Sequence, residues 1–334
     1  MPLSHIQFQE AAVECLRKSL RENRLAHAWL LFGPEGVGKS SAALGVCEAL
    51  LCPQKKGEGC GGCVVCRRIA QRTHTDVAWL SSERSQVERG WMDLKTLSKQ
   101  PSQEIHVEQI RQLQERLHIR ALEGPYKIAV ILHAHEMNIQ AQNALLKTLE
   151  EPPANTVLLL CTHQKELLLS TLQSRCQALA FKPLPSTFVA EQLHAYGISE
   201  PLKAARLAEV SEGSLGKAKR LGEAWLEFQE KTEAEFFALE AKAIGGLLAF
   251  AERHGSNRAA AEQCLDVLLV ALSRWVKELA RGGGDERELW RWLYRYERVE
   301  KAKVAIVQRN GAARLQLEAM LLDMFSQPMG ILEG

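Results

Sequence analysis

Four short apolar runs punctuate the first half of the chain: "HAWLLF" from 27, "DVAWLS" from 76, "KIAVIL" from 127 and "TVLLLCT" from 156. Segments of helical period separate them, an alternation that predicts an α/β fold with a parallel sheet and helices on both faces. One helical stripe carries Val107, Ile110, Leu113 and Leu117; another carries Ala141, Ala144, Leu145 and Leu149 before Pro152 stops it. Both stripes are expected to pack on the sheet. The polar, weakly periodic stretch "SSERSQVERGWMDLKTLSKQPSQE" at 81–104 reads as an insertion or flexible surface loop. After the two prolines of "FKPLPS" at 181–186 strand signals vanish and helical periods continue to the end. The predicted division is an α/β domain over 1–183, a small helical domain over 184–225 and a helical domain over 226–334.

With 334 residues, 46% of them hydrophobic, the chain has ample material for several cores. A net charge of +2 with interleaved signs gives no basic stripe, so any DNA contact is expected to be shared with partners. The start "MPLSHIQFQE" lacks a signal layout, and no stretch approaches the roughly 18 apolar residues of a membrane span. A cytoplasmic location without membrane contact is expected.

Chemistry concentrates directly after the first apolar run. "GPEGVGKS", comprising Gly33, Pro34, Glu35, Gly36, Val37, Gly38, Lys39 and Ser40, fits G-x-x-x-x-G-K-[ST] between a predicted strand and a predicted helix. Such a loop turns backbone N–H groups around phosphates, Lys39 adds a cation, and the Ser40 hydroxyl reaches a magnesium ion. ATP or ADP with Mg²⁺ is the expected ligand; a glycine-rich turn with no ligand is the bland alternative. Hydrolysis needs more, an acid at the end of a neighbouring strand. There the chain has Leu132 and His133, and the nearest acid, Glu136, comes several residues late. No intrinsic ATPase is expected, and His133 and His135 read as strand-end residues rather than catalytic bases.

Nine cysteines are present, and Cys52, Cys60, Cys63 and Cys66 crowd into "CPQKKGEGCGGCVVC". One ligand at a helix end followed by C-x-x-C-x-x-C suits a closed structural Zn²⁺ site, with Lys55, Lys56, Arg67 and Arg68 offsetting its negative charge. The same spacing admits an iron–sulfur cluster or reduced, unliganded thiols.

The P-loop, the four-cysteine insertion behind it, "NALLKTLEEPPANTVLLLCT" at 143–162 and "LLSTLQSRCQ" at 168–177 together resemble the delta-prime subunits of bacterial DNA polymerase III clamp loaders, which are AAA+ proteins. The likeness covers the first two-thirds of the chain. It implies a RecA-like AAA+ domain, a helical lid and a helical collar. It also implies gamma/tau and delta subunits as partners in a hetero-oligomeric ring, with the sliding clamp and primer-template DNA reached through that complex. Arg175 of the "SRC" triplet would be an arginine finger supplied in trans to a neighbour's ATP site. Active relatives carry Asp-Glu where Leu132 and His133 stand, and an arginine after "GSL" where Gly216 stands; both departures suit a stator rather than a motor. An ATP-hydrolysing gamma/tau-type motor is the alternative.

A direct nucleic-acid module is a third reading, resting on "ELWRWLYRYERVEK". Trp290, Leu293, Tyr294 and Glu297 fall at helical spacing, which favours packing at a helix or subunit interface over base stacking. In the last helix Leu315, Leu317, Met320, Leu321 and Met324 form a stripe like that by which the family's subunits join, and it is expected to be exposed for oligomerisation.

Overall fold

The computed structural model describes residues 2–326 apart from 23, 98–99, 242–243, 283–284 and 308–310. The chain divides between Arg220 and Leu221 into two compact units.

In chain order the first unit contains α1 (Glu10–Arg21), β1 (Ala28–Phe32), α2 (Lys39–Leu51), α3 (Val64–Ala70), β2 (Val77–Leu80), α4 (Glu83–Glu88), α5 (Val107–His118), β3 (Lys127–Ile131), α6 (Ile139–Glu150), β4 (Thr156–Thr162), α7 (Ser170–Gln173), β5 (Gln177–Ala180), α8 (Ser186–Ala195) and α9 (Pro201–Val210), and it runs into α10 (Leu215–Phe237). All five strands are parallel, in the order β2-β3-β4-β1-β5. Parallel strands covered on both sides read as continuous apolar runs, and β1, β3 and β4 do so. On one face Ala28, Leu30, Ala129, Ile131, Leu158 and Leu160 pack with Ile110, Leu113 and Leu117 of α5 and with Ala141, Leu145 and Leu149 of α6. The intervening Trp29, Leu31, Ile128, Val130 and Leu159 are equally buried. Both predicted stripes thus lie on the sheet, with Val107 and Ala144 half-buried at their margins.

Two elements differ from expectation. "QALA" forms β5, an edge strand in which only Leu179 is buried, so it carries no apolar run to announce it. The 81–104 stretch, expected to be an insertion or a flexible surface loop, contains α4. Ser82 Oγ accepts from the Ser85 amide at 3.2 Å to cap it, and the Ser102 amide donates to Glu83 Oε2 at 2.9 Å to close the segment on itself. Six mostly polar residues are too few to show a period, but local capping suffices to hold a turn and a half.

α10 is broken at Gly222, whose φ of 63° and ψ of −178° no helix contains. In the second unit α10 is followed by α11 (Ile244–His254), α12 (Arg258–Gly282), α13 (Glu286–Val307) and α14 (Ala313–Ser326). Phe236, Leu247, Phe250, Leu265, Leu268, Leu272, Trp292, Val299 and Ile306 form its core. The stripe of α14 departs from expectation. Leu317, Met320, Leu321 and Met324 are buried in that same core, and of the five only Leu315 is exposed. Trp290 and Leu293 are exposed, whereas Trp292 supplies the buried aromatic of α13. Among the described residues no helix is long and apolar enough to cross a membrane.

Candidate functional site

β1 delivers the chain at Phe32 into the P-loop, and α2 begins at Lys39 with Gly38 as its N-cap in a left-handed conformation (φ 108°). Gly36 also has positive φ (71°), and a Cβ there would fall 2.4 Å from Ser214 Oγ and 2.6 Å from the Gly216 amide nitrogen. Only glycine meets both demands. The Gly216 amide donates to the Gly36 carbonyl at 3.3 Å, so the start of α10 lies directly on the loop. Arg220 adds a two-pronged pair to the Glu35 carboxylate, at 2.8 and 3.0 Å. A cleft lined by Pro34, Glu35, Ser211, Ser214 and Lys217 opens beside this contact.

Lys39 is buried and folds back on its own loop, donating to the carbonyl of Gly33 at 2.7 Å and to that of Pro34. Burial lowers its ammonium pKa to about 8, against the opposing pull of Cys161 and Glu35. Phosphate oxygens would replace those carbonyls as acceptors and restore the full charge. Ser40 is half-buried in the first turn of α2, where a P-loop serine serves magnesium. The residues present therefore fit a nucleotide phosphate.

The neighbouring strand end lacks the catalytic acid. β3 stops at Ile131, Leu132 is buried, and His133 adopts a left-handed conformation (φ 51°). Burial raises the Glu136 carboxyl pKa, and Glu136 is engaged by Ser82 rather than by the P-loop. His133 and His135 meet a third imidazole, His163, just beyond β4; ring centroids of His135 and His163 are 4.2 Å apart. Burial lowers the pKa of His133 to about 4 and of His135 to about 3, and that of His163 falls too, so all three are neutral at pH 7. His163 escaped sequence reasoning. The available signal was its place one residue past the strand that pairs with β3.

At the other end of α2, Cys52 is the C-cap, and Cys63 caps α3 by accepting from the Cys66 amide. The four sulfurs of Cys52, Cys60, Cys63 and Cys66 lie within 4.8 Å of one another. Cys52–Cys63 and Cys60–Cys66 are each separated by 3.9 Å. A tetrahedron with Zn–S bonds of about 2.3 Å has edges of about 3.8 Å, so the set fits zinc with little adjustment. Backbone amides of Lys55 and Cys63 donate to the sulfurs of Cys52 and Cys60 at 3.3 Å, as thiolates require. Amide donors at Cys63 and Gly62 lower the Cys60 pKa to about 6.

A buried carboxylate that the sequence did not advertise braces this end. Asp76 accepts from the amides of Leu122, Glu123 and Gly124 at 2.8–2.9 Å and from Lys127 Nζ at 3.3 Å. Burial pushes its pKa up, but the donors outweigh that and the net shift is down. Arg175, just past α7, is exposed; its guanidinium pairs with Glu150 at 2.7 Å and donates to the Thr171 carbonyl at 2.8 Å. It is not brought to its own P-loop by any of these contacts.

An all-parallel sheet in this order, with a P-loop leaving β1 and a small helical element lying on that loop, defines the RecA-like AAA+ fold. The family model described as "DNA polymerase III, delta subunit" matches residues 8–185, and the chain belongs to that family. It is 33% identical over 187 residues to the DNA polymerase III subunit delta′ of Bacillus subtilis strain 168, covering 56% of this chain and 51% of that protein. It is 37% identical over 199 residues to the delta′ subunit of Pseudomonas aeruginosa PAO1, covering 59% and 56%. The tau subunit of Bacillus subtilis is 29% identical over 208 residues, covering 62% of this chain and 32% of tau. The match thus spans about half the length of the delta′ relatives.

Proposed function

We propose that this chain acts as the delta-prime, or stator, subunit of a DNA polymerase III clamp loader. It joins gamma/tau and delta subunits in a ring that places a sliding clamp on primer-template DNA. The observation that carries this reading is a complete P-loop facing a strand end where His133 stands in place of an acid. A site of this kind holds ATP or ADP with Mg²⁺ without turning it over, because neutral imidazole is a poor ligand for magnesium. The contact of Gly216 with Gly36 supports the same reading, since it fills the place from which an arginine on α10 would sense nucleotide. Zinc at Cys52, Cys60, Cys63 and Cys66 is structural in this scheme, its four positions filled by protein.

Arg175 is the residue by which the subunit takes part in chemistry. Released from Glu150, its planar, permanently charged guanidinium is suited to a transferring phosphoryl group in the neighbouring subunit. The test is Arg175→Ala in the reconstituted complex, with assembly and zinc content measured on the same samples. At the site it serves, hydrolysis is expected to fall by about 10³–10⁵. Clamp loading falls with it, while the isolated subunit shows no turnover above a Lys39→Ala control. Equal loading and equal DNA-stimulated ATPase in both complexes would refute the assignment.

A further inference from the structure

We infer that His133, His135 and His163 form a second metal site beside the P-loop, one that takes a borderline divalent transition ion of the zinc, cobalt or nickel class. Their ligand nitrogens lie within 4.8 Å of one another, and all three rings are half-buried rather than sealed in the core. Adjacent parallel strands place them. His133 and His135 sit on the turn after β3, and His163 directly follows β4, whose Leu160 pairs with Ile131. A tetrahedral ion with bonds of about 2.0–2.1 Å needs nitrogens about 3.4 Å apart, a closure within reach of modest side-chain rotation.

Outer contacts prepare the set. Thr162 Oγ1 lies 3.1 Å from His135 Nδ1; with Nδ1–H donating to that oxygen, Nε2 is left as the coordinating atom. Burial opposes a positive charge at each of the three rings, as do Lys39, Arg89 at His133 and Arg220 at His163, whereas the Glu35 carboxylate favours it at all three. Arg89 is the competitor. Its guanidinium lies 2.8 Å from His133 Nε2 and so competes for the lone pair of that nitrogen. Arg89 is exposed at the end of α4, so it can swing out as an ion enters. The end of α4 therefore sets a removable cation against this site.

Imidazole in place of carboxylate changes which ion is preferred. Three nitrogens suit zinc, cobalt, nickel or copper and not magnesium, and they leave one coordination position open, unlike the four cysteines. This site stands independently of the stator reading.

The experiment titrates the full-length protein, its cysteine site already saturated with zinc, with Co²⁺. One further equivalent should bind, giving visible bands of a nitrogen- and oxygen-ligated ion without thiolate charge transfer, and excess Mg²⁺ should not displace it. His135→Ala and His163→Ala should each weaken binding by more than the roughly 10–100-fold that loss of an outer contact costs. His133→Asn should do the same, since asparagine tolerates the left-handed backbone that His133 adopts. Arg89→Met should tighten binding several-fold, and thermal melts of each variant report folding. Absence of the further equivalent, a thiolate-type spectrum, or unchanged affinity in the folded histidine variants would overturn the inference.

Discussion

The two ends of α2 carry opposite chemistry. At its N-terminus the P-loop gathers amides and Lys39 for an anion; at its C-terminus Cys52 and the following knuckle gather sulfur for a cation. Only the first placement agrees with the helix dipole, which favours negative charge at the first turn. A tetrathiolate zinc site is net negative, and the basic residues Lys55, Lys56, Arg67 and Arg68 around it offset that charge. The contacts differ in kind. The N-terminal end is held by exchangeable polar links, Lys39 to two loop carbonyls and Glu35 to Arg220, every one of which yields to a better partner. At the C-terminal end four sulfurs lie within 4.8 Å of one another, and the buried Asp76 bracket ties the backbone beside them. One helix thus joins exchangeable polar contacts at its first turn to a cysteine cluster and a buried carboxylate beside its last.

The strongest way to break this comparison is at the cation end. Structural zinc in small domains binds with about 10–16 kcal/mol of apparent free energy, so Cys63→Ser or strong chelation should have the largest effect of any change considered. Hydrogen exchange is expected to show lost protection over 52–66 with the β1–β3–β4 core retained. Unchanged protection after metal removal would make the knuckle a passive loop.

Next comes the bracket. Asp76→Ala strands Lys127, whose side chain is only 10% exposed, and should cost about 3–5 kcal/mol in urea unfolding at pH 7. The backbone at Gly124 runs so near Leu51 that an added Cβ would come within 2.4 Å of its Cδ2, so the loss should spread to the end of α2. The folded pKa of Asp76 lies below its unfolded value of about 3.9. Its contribution is then complete above that pH and disappears as pH falls through the folded pKa, so wild type and variant should converge in strong acid.

Smaller effects are expected at the anion end. Gly216→Arg places a cation at the start of α10, but its Cβ would sit 2.9 Å from Gly36 Cα. Overpacking of backbone on backbone should cost about 1–3 kcal/mol and yield no ATPase. A thermal melt and a turnover assay check the two parts. Arg220→Ala removes a largely exposed pair and should change stability by no more than about 1 kcal/mol. A larger loss would mean that this end is as rigid as the other and that the contrast is wrong.

The layers, both chemical loops and the missing acid are legible in the order of residues, because each depends on near neighbours along the chain. Continuous apolar runs follow from parallel strands covered on both faces, and P-loop and C-x-x-C-x-x-C spacings follow from the turns that bind phosphate or metal. What lies against what emerges only once the chain is folded. β5 is an edge strand whose one buried residue, Leu179, makes no pattern, and α4 is too short for a period. The stripe of α14 revealed that a face is covered, yet periodicity cannot name the cover, and Leu317, Met320, Leu321 and Met324 turn out to lie in their own unit's core. The contact of Gly36 with Gly216 joins residues 180 apart in the chain, and the pairing of β3 with β4 is what carries His163 to His133 and His135. A helix or strand period is set by the backbone of neighbouring residues, whereas a contact between distant segments exists only once strand order and register have brought them together.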